Sequence, residues 1–241
     1  KYLKEKGLAA VEKRASRATT EGIIVVKTAN SKAVMAELTC ETDFVAKNAD
    51  FIAVGDKIAE TALAKGYTDV QQELSDMVLD LATRVRENMG LRRLTAVQAG
   101  SDEYIAHYVH SDKKTGVIVM LKSDKSAAFA DKAFQEFAYD CCLHAAAFTP
   151  LYVKKEDVDA AYIDEQLEVF RGQVAELQKP DNVKEGIVKG KLNKHLAEIC
   201  FLEQAFVKDD KVSVAAKMKE VGKQLGANIS LSKLVLWQLG Q

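Results

Sequence analysis

The chain has 241 residues, of which 48% are hydrophobic and 29% charged, and its formal net charge is −1. That is room for one large domain or two small ones of ordinary globular composition. No apolar run approaches the roughly 18 residues that span a bilayer, no signal peptide is visible, and the balanced charge lacks the basic excess that phosphate neutralisation asks of a nucleic-acid binder. The chain starts at Lys1 with no methionine, so it reads as a fragment or a processed product.

In chain order, the first segment, Lys1 to Arg17, reads as a helix with a local basic bias from Lys1, Lys4, Lys6, Lys13, Arg14 and Arg17. A solvated helix face or linker explains so short a run; RNA binding is the sharper alternative. Gly22–Lys27 is β-branched and apolar. Val34, Ala36, Leu38 and Cys40 alternate on one face of a second strand, with Glu37 and Thr39 on the other, and Asn30-Ser31 between the strands predicts a hairpin turn. A helix from about Phe51 to Lys65 carries Phe51, Val54, Ile58 and Ala62 on one stripe and stops at Gly66. Thr68 with Gln71 three residues on predicts a capping box opening the next helix. Its stripe is Val70, Leu74, Met77, Val78, Leu81 and Val85, and Gly90 is its expected end. A strand over Leu91–Ala99 closes the unit.

The pattern then recurs. Tyr104–His110 and Gly116–Lys122 read as strands around a polar turn, followed by a helix over Ala127–Ala147 with Phe134, Phe137, Ala138, Cys141 and Ala145 inward. Two charged helical stretches flank Pro180-Asp181-Asn182 and predict an antiparallel helical hairpin. After Cys200–Val207 comes a helix over Val214–Leu225, capped by Ser213 and ended by Gly226, and a last strand, Ile229–Leu239, with Trp237 in the core. The fold class is therefore α+β: two similar lobes, each a small antiparallel sheet packed with helices, plus a protruding helical hairpin. The expected boundaries are 1–20 (end of an N-terminal helical domain and linker), 21–100 (first lobe), 101–155 and 199–241 (second lobe), and 156–198 (hairpin).

Little in the chain carries covalent chemistry. Cys40, Cys141, Cys142 and Cys200 fit no zinc or disulfide framework; adjacent Cys141 and Cys142 read as small buried apolar residues, and a reducing compartment is expected. His107 and His110 are three apart on a strand and point to opposite faces, so they cannot share a metal. Phosphate-binding glycine loops, nucleophile elbows and HExxH are missing. No cofactor, no metal and no catalytic residue are expected. The segment Glu37 to Asn48 stands out instead, because a strand ends and an acid and a large aromatic follow at once. Thr42 or Asp43 capping a short helix, with Phe44 folded back into the core, is one reading. Phe44 exposed at a loop tip as an interface anchor is the other.

The run Glu37-Leu38-Thr39-Cys40-Glu41-Thr42-Asp43-Phe44-Val45-Ala46-Lys47 closely resembles the signature of the elongation factor Ts family. Glu87-Asn88 followed by Arg92-Arg93, Tyr108 with His110, and Phe201-Leu202-Glu203-Gln204-Ala205-Phe206-Val207 resemble further family segments in order and spacing, though many relatives have proline where Ala205 stands. The resemblance covers essentially the whole chain. Two departures are expected: the family's N-terminal three-helix domain is represented only by its last helix, Lys1–Gly7, and an extra C-terminal helix found in some relatives does not follow Gln241.

What the resemblance implies is a cytoplasmic guanine nucleotide exchange factor that binds elongation factor Tu in its GDP and nucleotide-free forms and performs no covalent chemistry. By resemblance, Thr42, Asp43, Phe44, Val45 and Lys47 form the exchange loop, with Phe44 the wedge. Val85, Tyr108 and His110 are further candidate contacts; core burial accounts equally for Val85, and local satisfaction on a strand for the other two. No membrane and no direct nucleic acid are expected as partners, and the helical hairpin is a candidate surface for a homodimer. The alternatives are a non-exchange scaffold of a translation GTPase and an RNA-binding module.

Overall fold

In the computed structural model of the chain, residues 9–241 are described; the part of the expected first helix at Lys1–Gly7 lies outside them. Residues 9–12 are helical and the chain then turns. Strands β1 (Glu21–Ala29) and β2 (Lys32–Cys40) form an antiparallel hairpin in which Ala29 pairs with Lys32. Both turn residues, Asn30 and Ser31, take positive φ (50° and 60°), the handedness that matches the strand twist. Helices α1 (Asp43–Ala46), α2 (Ala49–Lys65) and α3 (Gln72–Val85) follow, and β3 (Met89–Gln98) returns antiparallel beside β2.

The second sheet repeats this plan. Hairpin β4 (Glu103–Val109) and β5 (Thr115–Ser123) leads through α4 (Lys132–Phe148) and later segments to β8 (Ile229–Gln238), which lies beside β5 as β3 lies beside β2. The chain is thus α+β, built from small antiparallel sheets packed with helices. Between α4 and β8 run α5 (Ala160–Val174), α6 (Asp181–Ile199), the small hairpin β6 (Ala205–Phe206) and β7 (Asp209–Ser213), and α7 (Val214–Leu225).

Two compact units result: the described residues up to Cys142 together with Ser230–Gln241, and Leu143–Ile229. In the first, β2 is covered on both faces. Val34, Ala36, Leu38 and Cys40 pack with Phe51, Ile58 and Ala62 of α2 and with Leu74, Val78 and Leu81 of α3. Ala33 and Met35, on the other face, pack with Ile118 and Met120 of β5 and with Val235 and Trp237 of β8. Sequence alternation shows a face that prefers burial but not what a distant sheet will cover, which is why both sides of β2 end up inside. Glu37 lies on this second face with its side chain at 0% exposure. It accepts hydrogen bonds from Arg92 Nη1 (2.8 Å), Arg93 Nε (2.6 Å) and the Gly240 N–H (3.0 Å), while Arg93 also lies over the Trp237 ring at 4.2 Å. Burial works against the Glu37 charge, but the bonds from Arg92, Gly240 and Arg93 outweigh it and hold the carboxyl below its usual range.

In the second unit α5 and α6 pair as a helical hairpin. Val158, Leu196 and Cys200 form a small core at its base, and the Tyr162 hydroxyl meets His195 Nε2 at 2.7 Å. Buried His144 is fixed as a tautomer there: the Val207 N–H donates to Nδ1 (3.1 Å), so Nε2 carries the proton and donates to Gln204 Oε1 (2.9 Å).

Several helix limits differ from the sequence reading. Ser213, Gly66 and Gly226 act as predicted: the Ser213 hydroxyl accepts from the Ala216 N–H, and both glycines stop their helices in the left-handed conformation. Helix α3 does not open on a Thr68 capping box; its N-cap is Gln71, without a side-chain bond, and Val70 precedes it. Nor does it run to Gly90. Arg86, at φ 66°, stops it, and Gly90 is already in β3. The stop is reinforced by Arg14, whose Nη2 donates to the Ala82 carbonyl (3.0 Å) in the last turn, a favoured place for a cation. The helix expected over Ala127–Ala147 is broken: a 3-10 turn covers Ser126–Ala130, and α4 starts after Asp131, whose carboxylate accepts from the Ala133 N–H (2.8 Å).

Candidate functional site

The site is built where β2 runs out. Cys40 ends the strand fully buried, and Thr42, extended at φ −122° and ψ 154°, caps α1 by accepting from the Val45 N–H at 3.3 Å. Successive residues of a helix point about 100° apart. With Val45 and Ala46 both turned into the core (8% and 7% exposed), the preceding residue must face away, and Phe44 is 82% exposed. Both halves of the sequence-level ambiguity are therefore answered by geometry: a threonine does cap a short helix, and the ring does not fold back. A phenylalanine left in water forgoes roughly 2 kcal/mol of burial. Asp43 and Lys47 join across the turn at 2.7 Å, and the hydrogen bond from Lys47 holds the Asp43 carboxyl below its usual range.

The turn is gripped from behind by the segment between α3 and β3. Glu87 Oε2 accepts from the main-chain N–H groups of Glu41 (3.2 Å) and Thr42 (3.1 Å), and Oε1 accepts from the Thr42 hydroxyl (2.6 Å). Glu41 answers by accepting from the Asn88 N–H (2.6 Å) and from Arg17 Nη1 (3.4 Å), and Asn88 Nδ2 donates to the carbonyls of Ala15 (3.2 Å) and Arg17 (2.7 Å). Of the basic N-terminal run, Arg14 is buried against the end of α3, and Arg17, still exposed, pairs with Glu41. Sequence reasoning noticed Glu87-Asn88 but assigned neither a role, because the partners are far apart in the chain.

Of the further candidates, Val85 is half-buried against the core. The Tyr108 hydroxyl lies 2.8 Å from Nδ1 of exposed His110, and the Tyr108 ring meets that of Tyr139 edge-on at 6.0 Å. Tyr139, 46% exposed, was not singled out from sequence. In the β4–β5 turn, a hydrogen bond to Glu21 (2.7 Å) raises the pKa of Lys114, and the Asp43 charge adds a little to the rise.

The thiols offer no activated nucleophile. Burial pushes Cys40 up to about 12 and raises Cys141, Cys142 and Cys200 as well, and all four are buried. Among the described residues no group of three or more His, Cys, Asp or Glu is placed to hold a metal, and no helix is long and apolar enough to cross a membrane.

The family model described as Elongation factor TS matches residues 41–241. The chain is 73% identical over 240 residues to Elongation factor Ts of Treponema denticola, covering 100% of this chain and 86% of the relative. Identity is 57% over 251 residues to that of Treponema pallidum (100% and 87%) and 38% over 243 residues to that of Borrelia recurrentis (100% and 87%). A family match over most of the chain, with full-length identity well above what shared fold alone produces, makes the chain a member of the elongation factor Ts family.

Proposed function

We propose that the chain is the guanine nucleotide exchange factor of elongation factor Tu, working in the cytoplasm during translation elongation and driving GDP release with Phe44 as its wedge. The observation that carries the wedge is the 82% exposure of a phenylalanine whose two following neighbours are buried. A GTPase holds GDP mainly through its phosphate loop and a bridging Mg²⁺. At nanomolar affinity that is about 12 kcal/mol, and a remote coupling of roughly 1–3 kcal/mol speeds release only modestly. An effective factor therefore acts on the phosphate–metal end itself. The Phe44 ring inserts there and gains burial on the partner that it lacks on its own fold; Asp43, Thr42 and Lys47 border it, while Val45 anchors the turn from beneath.

Exchange follows from linkage. A factor that weakens GDP is weakened by GDP to the same degree, and a new nucleotide with Mg²⁺ releases it. No covalent step occurs. Tyr108 and His110 form a second contact, and Val85 a minor one. Segments 21–100 and 101–155 with 199–241 are the two lobes in this reading, and the hairpin 156–198 is a separate element able to pair two copies.

The test is release of a fluorescent GDP analogue from elongation factor Tu, with this chain and with its Phe44→Ala variant. Strong acceleration that the substitution removes is the expected outcome. Binding without acceleration would make the chain a scaffold, and steeply salt-dependent RNA affinity in place of exchange would favour the basic segment as the working part.

A further inference from the structure

We infer that Glu87 is a positioning residue for exchange: its carboxylate fixes the pose of the turn that carries Phe44, acting through Thr42 without touching the partner. The inference rests on the exchange reading above and deepens it. A four-residue helix such as α1 is too short to hold itself in water, so its direction has to be imposed from outside. Burial of Val45 and Ala46 imposes it from beneath. Glu87 imposes it at the N-terminus, taking both main-chain N–H groups that precede the helix and the hydroxyl of its cap.

The Thr42 hydroxyl is the pivot. Its hydrogen is committed to Glu87 Oε1, which leaves its lone pairs toward the Val45 N–H. The rotamer that reaches Glu87 is therefore the rotamer that caps α1. Glu87 is itself held, because Arg86 in the left-handed conformation turns the chain out of α3 and Asn88 is bound by Glu41 and the Ala15 and Arg17 carbonyls. The two segments grip each other reciprocally, and the backbone that carries the ring is aimed in one direction before any partner arrives. Such preorganisation removes an ordering cost from the binding step.

The experiment measures GDP-analogue release from elongation factor Tu across a range of concentrations of this chain, for Glu87→Ala, Glu87→Gln, Phe44→Ala and the Phe44→Ala/Glu87→Ala double variant. Thermal unfolding is followed in parallel. Glu87→Ala is expected to lower the saturating release rate by about tenfold, in line with what small misplacements cost, with less change in the half-saturating concentration. Glu87→Gln, which keeps an acceptor oxygen for part of the set, falls between. In the Phe44→Ala background Glu87→Ala changes the rate no further, since a residue acting through the ring has nothing left to act on. If Glu87→Ala fails to fold, Thr42→Val, which removes the shared hydroxyl, is read for the same pattern. Wild-type rates for the Glu87 or Thr42 variants, or losses that multiply with that of Phe44→Ala, overturn the inference and leave the exchange reading standing. Full acceleration by Phe44→Ala overturns the inference and the wedge while exchange stands; no acceleration by the unaltered chain overturns both the inference and the exchange reading.

Discussion

Glu37 and Phe44 stand on either side of the end of β2, and each inverts the ordinary rule of burial. One is a carboxylate with no exposed surface; the other is a large aromatic with most of its surface in water. The difference lies in what surrounds them. Glu37 has two guanidinium groups and a main-chain N–H at 2.6–3.0 Å, so its needs are met inside the molecule. Phe44 stands proud of the turn that carries it, although that turn is anchored from beneath by Val45 and Ala46 and at its N-terminus by Glu87. A rule-breaking residue with every partner at hand serves the fold, whereas one held out in the open is free for the encounter proposed for Phe44.

Substitutions at the two positions should therefore fail in opposite ways. Phe44→Ala should leave thermal unfolding unchanged and cost about thirtyfold or more in exchange, the size of an interface hot spot of about 2 kcal/mol. A drop in melting temperature of equal weight would place the ring in the fold and break the comparison. Glu37→Ala should do the reverse, destabilising by about 2–3 kcal/mol in urea unfolding, because Arg92 and Arg93 lose their counter-charge but keep partial access to water. Exchange measured below its melting range should change little.

The Glu37 contribution is also pH-dependent. Its carboxyl is depressed in the folded state, so the stabilisation is present above the unfolded value of about 4.3 and is lost as pH falls through the folded value. His144 extends the rule to the second unit. Burial depresses its imidazole, with the Gln204 bond opposing. The folded state thus binds fewer protons than the unfolded one below about pH 6.5. Stability contributed there is complete above that pH and declines as pH falls through the folded value; His144→Gln should flatten the decline in urea midpoints between pH 7 and 5. The smallest effect belongs to Tyr108→Phe. Losing one exposed hydrogen bond to His110 should shift half-saturation in the exchange assay by about fivefold or less.

How much of this was legible depends on sequence distance. The Asn30-Ser31 turn, the Ser213 cap, the Gly66 and Gly226 stops and the two hairpins each followed by helix are local, and each was readable from a few neighbouring residues. The turn bearing Phe44 was readable as a place but not as a pose: spacing left the ring inside or outside, and only the burial of both Val45 and Ala46 decided it. The ends of α3 were misread because Thr68 and Gly90 carry good local signals, while the stop at Arg86 is set by long-range partners, with Arg14 capping Ala82 and Glu87 needed by Thr42. Burial of Glu37 was invisible for the same reason, since the sheet that covers it comes from the other end of the chain.

Strand β2 is hydrogen-bonded to β1 on one side and β3 on the other and is covered on both faces. Segments so enclosed open only when the whole unit opens, so the β2 amides should be the slowest in the first unit to exchange in D₂O. The turn that bears Phe44 begins at the last residue of that strand. In the proposed wedge, a ring pressed into a partner would be pressed back, and the recoil would pass into this enclosed strand as the abutment for the push.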